Sequence, residues 1–304
     1  MPRPSASLKL CERADARRNA GSDAFRLIVM PPDLAFWFAL GLKMAVTAAF
    51  VVSASLIAER AGPAIGAMIA TLPIAAAPSY VFLAFDHDTA FIAHSALGSL
   101  AANTANGIFS MCYVILAQRL SWIVSLTVAL AAWFALALLL SWWDWTLVDA
   151  IAINVIVFAI CVPLATRYCH VPMPRALRRW YDMPLRAVMV ACLVAVVVGT
   201  STRVAPAVTG VLAVFPIVLS SLILIFQPRV GGPATAALIA NGLWGLAGFS
   251  TALVVLHLVA LAFGTWTGYA LSLATSMAWN FVVWSVRRRI ALRATNKKSS
   301  NARW

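Results

Sequence analysis

The chain alternates long apolar runs with short polar breaks. Runs of about 20 apolar residues are what a helix needs to cross a bilayer, and nine are predicted: 34–58, 62–85, 90–117, 121–142, 146–168, 185–202, 205–227, 233–257 and about 262–286. The division of 231–286 rests on no charged turn, and Gly264 marks its centre. Trp142, Trp143 and Trp145 stand between the fourth and fifth runs, and Trp180 and Tyr181 stand before the sixth, at interface positions that suit their amphipathic rings.

One stretch occurs twice. Residues 60–74 and 203–217 share Arg60/Arg203, Pro63/Pro206, Ala64/Ala207, Ala70/Ala213, Pro73/Pro216 and Ile74/Ile217, all at an offset of 143 residues. Lys43 and Arg186 hold the same offset in the preceding runs. A fixed period of this kind marks a duplicated unit. Spans one to four (34–142) then form one repeat and spans six to nine (185–286) the other, with 146–168 as a connecting helix. An odd connector turns the second repeat upside down, which is the inverted-repeat plan of many secondary transporters. The expected fold class is therefore all-α: a polytopic membrane protein of about nine transmembrane helices, in two inverted four-helix repeats.

Composition agrees with this class. The chain is 62% hydrophobic and 11% charged, against about 25% charged residues in a soluble domain. The net charge of +13 comes from 23 Lys and Arg, of which six lie in 1–32, five in 167–186 and seven in 287–304. Basic clusters between and after spans anchor loops on the cytoplasmic side, so nucleic acid is excluded as a partner. The loop 169–184 and the tail 287–304 are then cytoplasmic, and Asp86, His87 and Asp88 face outward. Residues 1–29 conflict with this count, being basic where an outward segment is expected. Either they are a disordered basic tail or the chain starts at Met30, whose following residues carry no Lys or Arg before the apolar run. The five cysteines fit no disulfide or zinc spacing.

Prolines and charges inside spans are the candidate chemistry. Pro73 and Pro216 fall mid-span; each removes an N–H and frees the carbonyl four residues back, Ile69 and Leu212. Pro78 breaks the second span further. Freed groups in lipid need an internal partner or a wet cavity, and Gly/Pro-interrupted segments at matching places in two halves point to a transporter's site. Gly66 and Gly210 lie in the same two segments. Lys43, well inside the first span, costs about 2.5–3.5 kcal/mol at helix centre and needs a partner or a ligand. Asn103 and Asn106, three residues apart, share a face of the third span, and Asn241 marks the eighth; with Gly98, Gly107 and Gly242 these suit either close helix packing or a pore lining.

A P-loop, a His-Glu-x-x-His motif and a Gly-x-Ser-x-Gly motif are all missing from the sequence. No enzyme activity and no cofactor are expected. The repeated Gly-Pro-x-x-Gly-x-x-x-Ala-x-x-Pro-like pattern at 60–80 and 203–223 resembles small four-helix bacterial inner-membrane proteins of the GlpM-like kind. That resemblance implies a fused pair of such units; the second copy departs from it with Thr209 and Gly210 where the first has Gly66 and Ala67. The expected function is a secondary permease or exporter of a small polar or anionic molecule in a bacterial inner membrane, with the C-terminus cytoplasmic. Its site comprises Lys43, Gly66, Pro73, Pro78, Asn103, Asn106, Gly210, Pro216 and Asn241. Its partners are the lipid bilayer, an unidentified small-molecule substrate and, as an open option, a second copy of the chain. The competing class is a membrane scaffold or regulatory subunit.

Overall fold

The computed structural model describes residues 32–60, 76–171 and 179–301. Its elements are α1 (Pro32–Arg60), α2 (Ala76–Asp86), α3 (Thr89–Leu116), α4 (Trp122–Ser141), α5 (Leu147–Ala165) with a 3₁₀ turn (Thr166–Tyr168), α6 (Asp182–Thr200), α7 (Pro206–Ala213), α8 (Ile217–Val230), α9 (Gly232–Phe263) and α10 (Thr265–Asn301). No strand occurs among the described residues. Contacts divide the chain at Leu42, and the helix bundle belongs to the unit from Lys43 onward.

Local chemistry sets the helix ends. Asp88 accepts the Phe91 N–H at 2.9 Å to start α3, and Ser121 and Thr146 cap α4 and α5 in the same way. A capping side chain accepts one of the four donors that a helix start leaves unpaired. Pro206 opens α7, where its missing N–H costs nothing. Gly231 (φ 84°) and Gly264 (φ 89°) end α8 and α9 in a conformation that favours glycine. The turn expected at Gly264 is therefore present, with two boundary corrections: α9 runs on to Phe263 and α10 starts at Thr265. The reason is that only the positive-φ glycine stops a run with no charge in it. The basic segment from Arg287 extends helically to Asn301 as part of α10.

Among the described residues, seven helical segments are long and apolar enough to cross a membrane, including Phe36–Ala54, the combined Pro206–Val230 and Gly232–Phe263. Two of the nine expected runs are not among the seven: 62–85 lies partly outside the described residues, and α10 is less apolar. The apolar residues Leu138, Leu139, Val155, Ile156 and Ile160 are exposed on α4 and α5. Lipid tails cover such surface at no cost, whereas water would penalise it.

The centre is α3, of whose 28 residues 19 are buried. It packs on α4, α5, α7 and α9. Its apolar side meets two clusters, one around Phe109, Trp133, Ile223 and Leu243 and one around Leu83, Ile92, Val190 and Leu253. α3 and α9 run antiparallel: His257 near the end of α9 bonds the Ala93 carbonyl near the start of α3, Asn103 meets Leu246, and Gly232 at the start of α9 lies against the Ala117 carbonyl.

Small residues permit these crossings, because close backbone approach leaves no room for a side chain. A Cβ on Gly210 would collide with the Ser95 carbonyl oxygen, and one on Gly232 with that of Ala117, whereas one on Gly242 meets nothing within 4 Å. Gly210→Ala and Gly232→Ala are therefore predicted to destabilise the protein by about 1–3 kcal/mol, the usual cost of overpacking. Gly242→Ala should instead be neutral or stabilising by roughly 0.5–1 kcal/mol. Unfolding of the three variants in mild detergent checks the contrast.

Candidate functional site

The span Pro206–Val230 is broken where Pro216 predicts it. α7 stops at Ala213, and α8 restarts after Pro216 (φ −73°, ψ 46°). The hydrogen bonds around the break differ from the simple expectation. The Leu212 carbonyl is not left free, because the Phe215 N–H reaches it at 3.1 Å in a tightened turn. Val214 N–H turns to Val211 at 3.4 Å, three residues back, and so does not serve the Gly210 carbonyl. That carbonyl instead accepts the Ser99 hydroxyl at 2.6 Å. The Val214 carbonyl accepts the Asn106 side-chain amide at 3.0 Å. Both donors stand on α3, so α3 completes a helix that the prolyl ring interrupts. A carbonyl buried in this setting without a partner would cost several kcal/mol.

Asn106 is also the hub of a larger buried network. Its Oδ1 accepts the Trp133 indole N–H at 2.8 Å, and its Nδ2 donates to Asn103 Oδ1 at 3.3 Å. Asn103 Nδ2 donates to the Leu246 carbonyl and to Ser250 Oγ, each at 2.9 Å. Ser250 Oγ donates to Asn154 Oδ1 at 2.9 Å, and Asn154 Nδ2 returns to the Leu100 carbonyl at 2.6 Å. Tyr80 and Ser99 hydroxyls lie 2.6 Å apart. The network joins α2, α3, α4, α5, α9 and the α7–α8 break with neutral donors and acceptors only. Near it, the hydroxyls of Ser95 on α3 and Ser220 on α8 are buried without a hydrogen-bond partner.

The other expected site residues fall into separate places. Lys43 is not a free cation: its ammonium binds the Asp86 carboxylate at 2.5 Å and lies 5.9 Å from the Phe82 ring centroid. Pro78 is the third described residue of α2, and the chain before Ala76, including the Ile74 position four residues back, lies outside the described residues. Asn241 belongs to another contact, donating to the Ala237 carbonyl at 2.8 Å and the Cys169 carbonyl at 3.3 Å and accepting from Arg287 at 3.0 Å. Gly66 and Pro73 lie outside the described residues. Gly210, Asn103, Asn106 and Pro216 are brought together. Sequence reading missed the parts of Asp86 and Trp133, whereas Ser99 and Ser250 stand out as polar positions on their apolar spans.

A second polar cluster closes the far end of α8. Arg229 grips Asp182 with both guanidinium nitrogens, at 2.7 and 2.5 Å, and stacks 5.2 Å from the Tyr181 ring centroid. The hydrogen bond from Arg179 to the Tyr181 hydroxyl, reinforced by Arg229, holds that phenol below its ordinary pKa. Gln227 accepts the Tyr113 hydroxyl at 2.7 Å.

These helices are those of a multi-pass membrane protein. No family model, no curated protein and no solved structure matches the chain.

Replacing Asn106 by Ala removes the donor to Val214, the acceptor for Trp133 and the partner of Asn103. A single buried group left unpaired costs about 1–3 kcal/mol, so Asn106→Ala should lose on the order of 3 kcal/mol in detergent or bicelle unfolding. Thr104→Ala, which forfeits only a 3.3 Å contact with Asn154, should lose under about 1 kcal/mol.

Proposed function

We propose that the chain is a secondary permease or exporter for a small polar molecule, built from two inverted repeats of four helices and a connecting helix. The observation that carries this reading is a helix broken inside the bundle and completed by side chains of the central helix. Discontinuous helices near the midplane are how transporter folds expose backbone groups to a substrate. The repeat has support beyond the sequence motif. α3 and α9 start at Thr89 and Gly232, and α4 and α10 start at Trp122 and Thr265, both pairs 143 residues apart. Asn103 and Leu246, which bond directly, are separated by the same 143 residues. A residue touching its own repeat counterpart, in antiparallel helices, is what a two-fold axis through the crossing requires.

The groups around the break are uncharged, and the charge of Lys43 is already met by Asp86. A neutral or zwitterionic substrate that exchanges hydrogen bonds therefore suits the site better than an anion held by Lys43. The basic groups Arg119, Arg167, Arg179 and Arg229 stand at or beyond the ends of α3, α5 and α8, and Asp86 and Asp88 stand where α2 ends and α3 begins. Their sorting supports a cytoplasmic position for the first group in a bacterial inner membrane, with the C-terminus on that side. A scaffold is the second reading, and the closed hydrogen bonding of Asn103, Asn106 and Asn154 favours it.

Cysteine accessibility separates the two. Val218→Cys and Ser220→Cys, each alone in a cysteine-free background, are treated with a charged, membrane-impermeant thiol reagent. The permease predicts reaction at one or both positions, because a pathway past the break must admit water. A complete lack of reaction at both would leave the scaffold.

A further inference from the structure

Two ion pairs occupy related places with their charges exchanged. Asp86 and Arg229 are 143 residues apart. Asp86 is the last residue of α2 and pairs with Lys43 on α1. Arg229 lies in the last turn of α8 and pairs with Asp182 on α6. Lys43 and Arg186 hold the same offset, and Asp182 precedes Arg186 by four residues, about one helical turn. In each half, therefore, the first helix of the repeat is tied by one ion pair to the end of the short helix that precedes the repeat's longest buried helix. In the first half the cation is on the first helix; in the second half the anion is.

The pairs stand at opposite ends of the α3–α9 crossing. The start of α3 meets the start of α10 through Thr89 and Thr265 (3.0 Å), and Asp86 is three residues before Thr89. The start of α9 meets the end of α3 through Gly232 and Ala117, and Arg229 is three residues before Gly232. Each pair has company at its own end. His87 bonds Ser201 at 2.8 Å and stacks on Phe91 beside Lys43–Asp86. Gln227 reaches the Leu120 carbonyl at 3.4 Å beside Arg229–Asp182.

Neither pair is fully enclosed by the protein. The side chains of Lys43 and Asp86 are 21% and 33% exposed, and those of Arg229 and Asp182 are 15% and 14% exposed. Pairs of this kind hold two elements together yet separate without stranding charges in a dry interior. α8 is bounded by the break at Pro216 on one side and by the positive-φ Gly231 on the other.

From this we infer that the two ion pairs are latches on the two ends of the transport pathway, one releasing each face. Opening the end at Asp86 separates Lys43 from Asp86 while Arg229 stays on Asp182; opening the other end reverses the two. The inference rests on the permease reading. The exchange of charge gives the latches a use for the inversion: each repeat closes the face at which its own short helix ends.

The test uses two reporters on α3, Ser95→Cys and Ser110→Cys, which lie on either side of Asn103 and are buried. Each is placed alone in the cysteine-free full chain and probed with a charged thiol reagent on right-side-out and inside-out vesicles. Asp86→Asn is expected to raise labelling of the Ser95 reporter several-fold from the Asp86 side, with little change at the Ser110 reporter. Arg229→Gln is expected to raise labelling of the Ser110 reporter from the opposite side. Exchanging Lys43→Asp with Asp86→Lys should return labelling to the parental level. Parental labelling that neither variant changes would overturn the latches and leave the permease standing. Labelling that rises at both reporters and is not reversed by the exchange would mean general loosening and would also overturn them. If no reporter labels in any variant, and Val218→Cys and Ser220→Cys are silent too, the permease reading falls and the latches with it.

Discussion

A helix cannot stop inside hydrocarbon unless something else takes its hydrogen bonds. That constraint governs the centre of this protein. Pro216 interrupts the span Pro206–Val230, and the carbonyls of Gly210 and Val214 lose their helical donors. Ser99 and Asn106 replace them from the neighbouring helix. The polar face of α3 follows from this requirement, and so does the close packing of Gly210 on Ser95. Trp133, Asn103, Ser250 and Asn154 then satisfy the remaining atoms of the asparagines. Remove the break and this polar network has no reason to be inside.

The same constraint decides which features the sequence could reveal. A proline in the middle of an apolar run has one strong consequence, and Pro216 shows it. A glycine in an uncharged run is the cheapest place to turn, and Gly264 takes a positive φ there. Long helices with capping residues, such as α3 after Asp88, were legible to within a residue or two. Lys43 was legible as a charge needing a partner, but the partner is 43 residues away on another helix. Trp133 reads as an ordinary apolar residue until its indole N–H is seen against Asn106.

The offset of 143 residues links the levels. It enters as matched prolines, returns as matched starts of α3 and α9 and of α4 and α10, and ends as a contact between Asn103 and Leu246. α3 and α9 run antiparallel, as the proposed inversion requires. The ion pairs at Asp86 and Arg229 follow the same relation with the charges exchanged. Under the proposed duplication few identities join the halves, whereas the matched helix starts are set by few residues and by the thickness to be crossed.

The inversion is the central claim, and sidedness at matched positions tests it most directly. Ala90 on α3 and Pro233 on α9 are both exposed, and they are 143 residues apart. Single cysteines at the two sites would be labelled in intact cells and in inverted vesicles with an impermeant thiol reagent. The account predicts that they react from opposite faces of the membrane, Ala90→Cys from outside and Pro233→Cys from the cytoplasm. Reaction of both from the same face would contradict it.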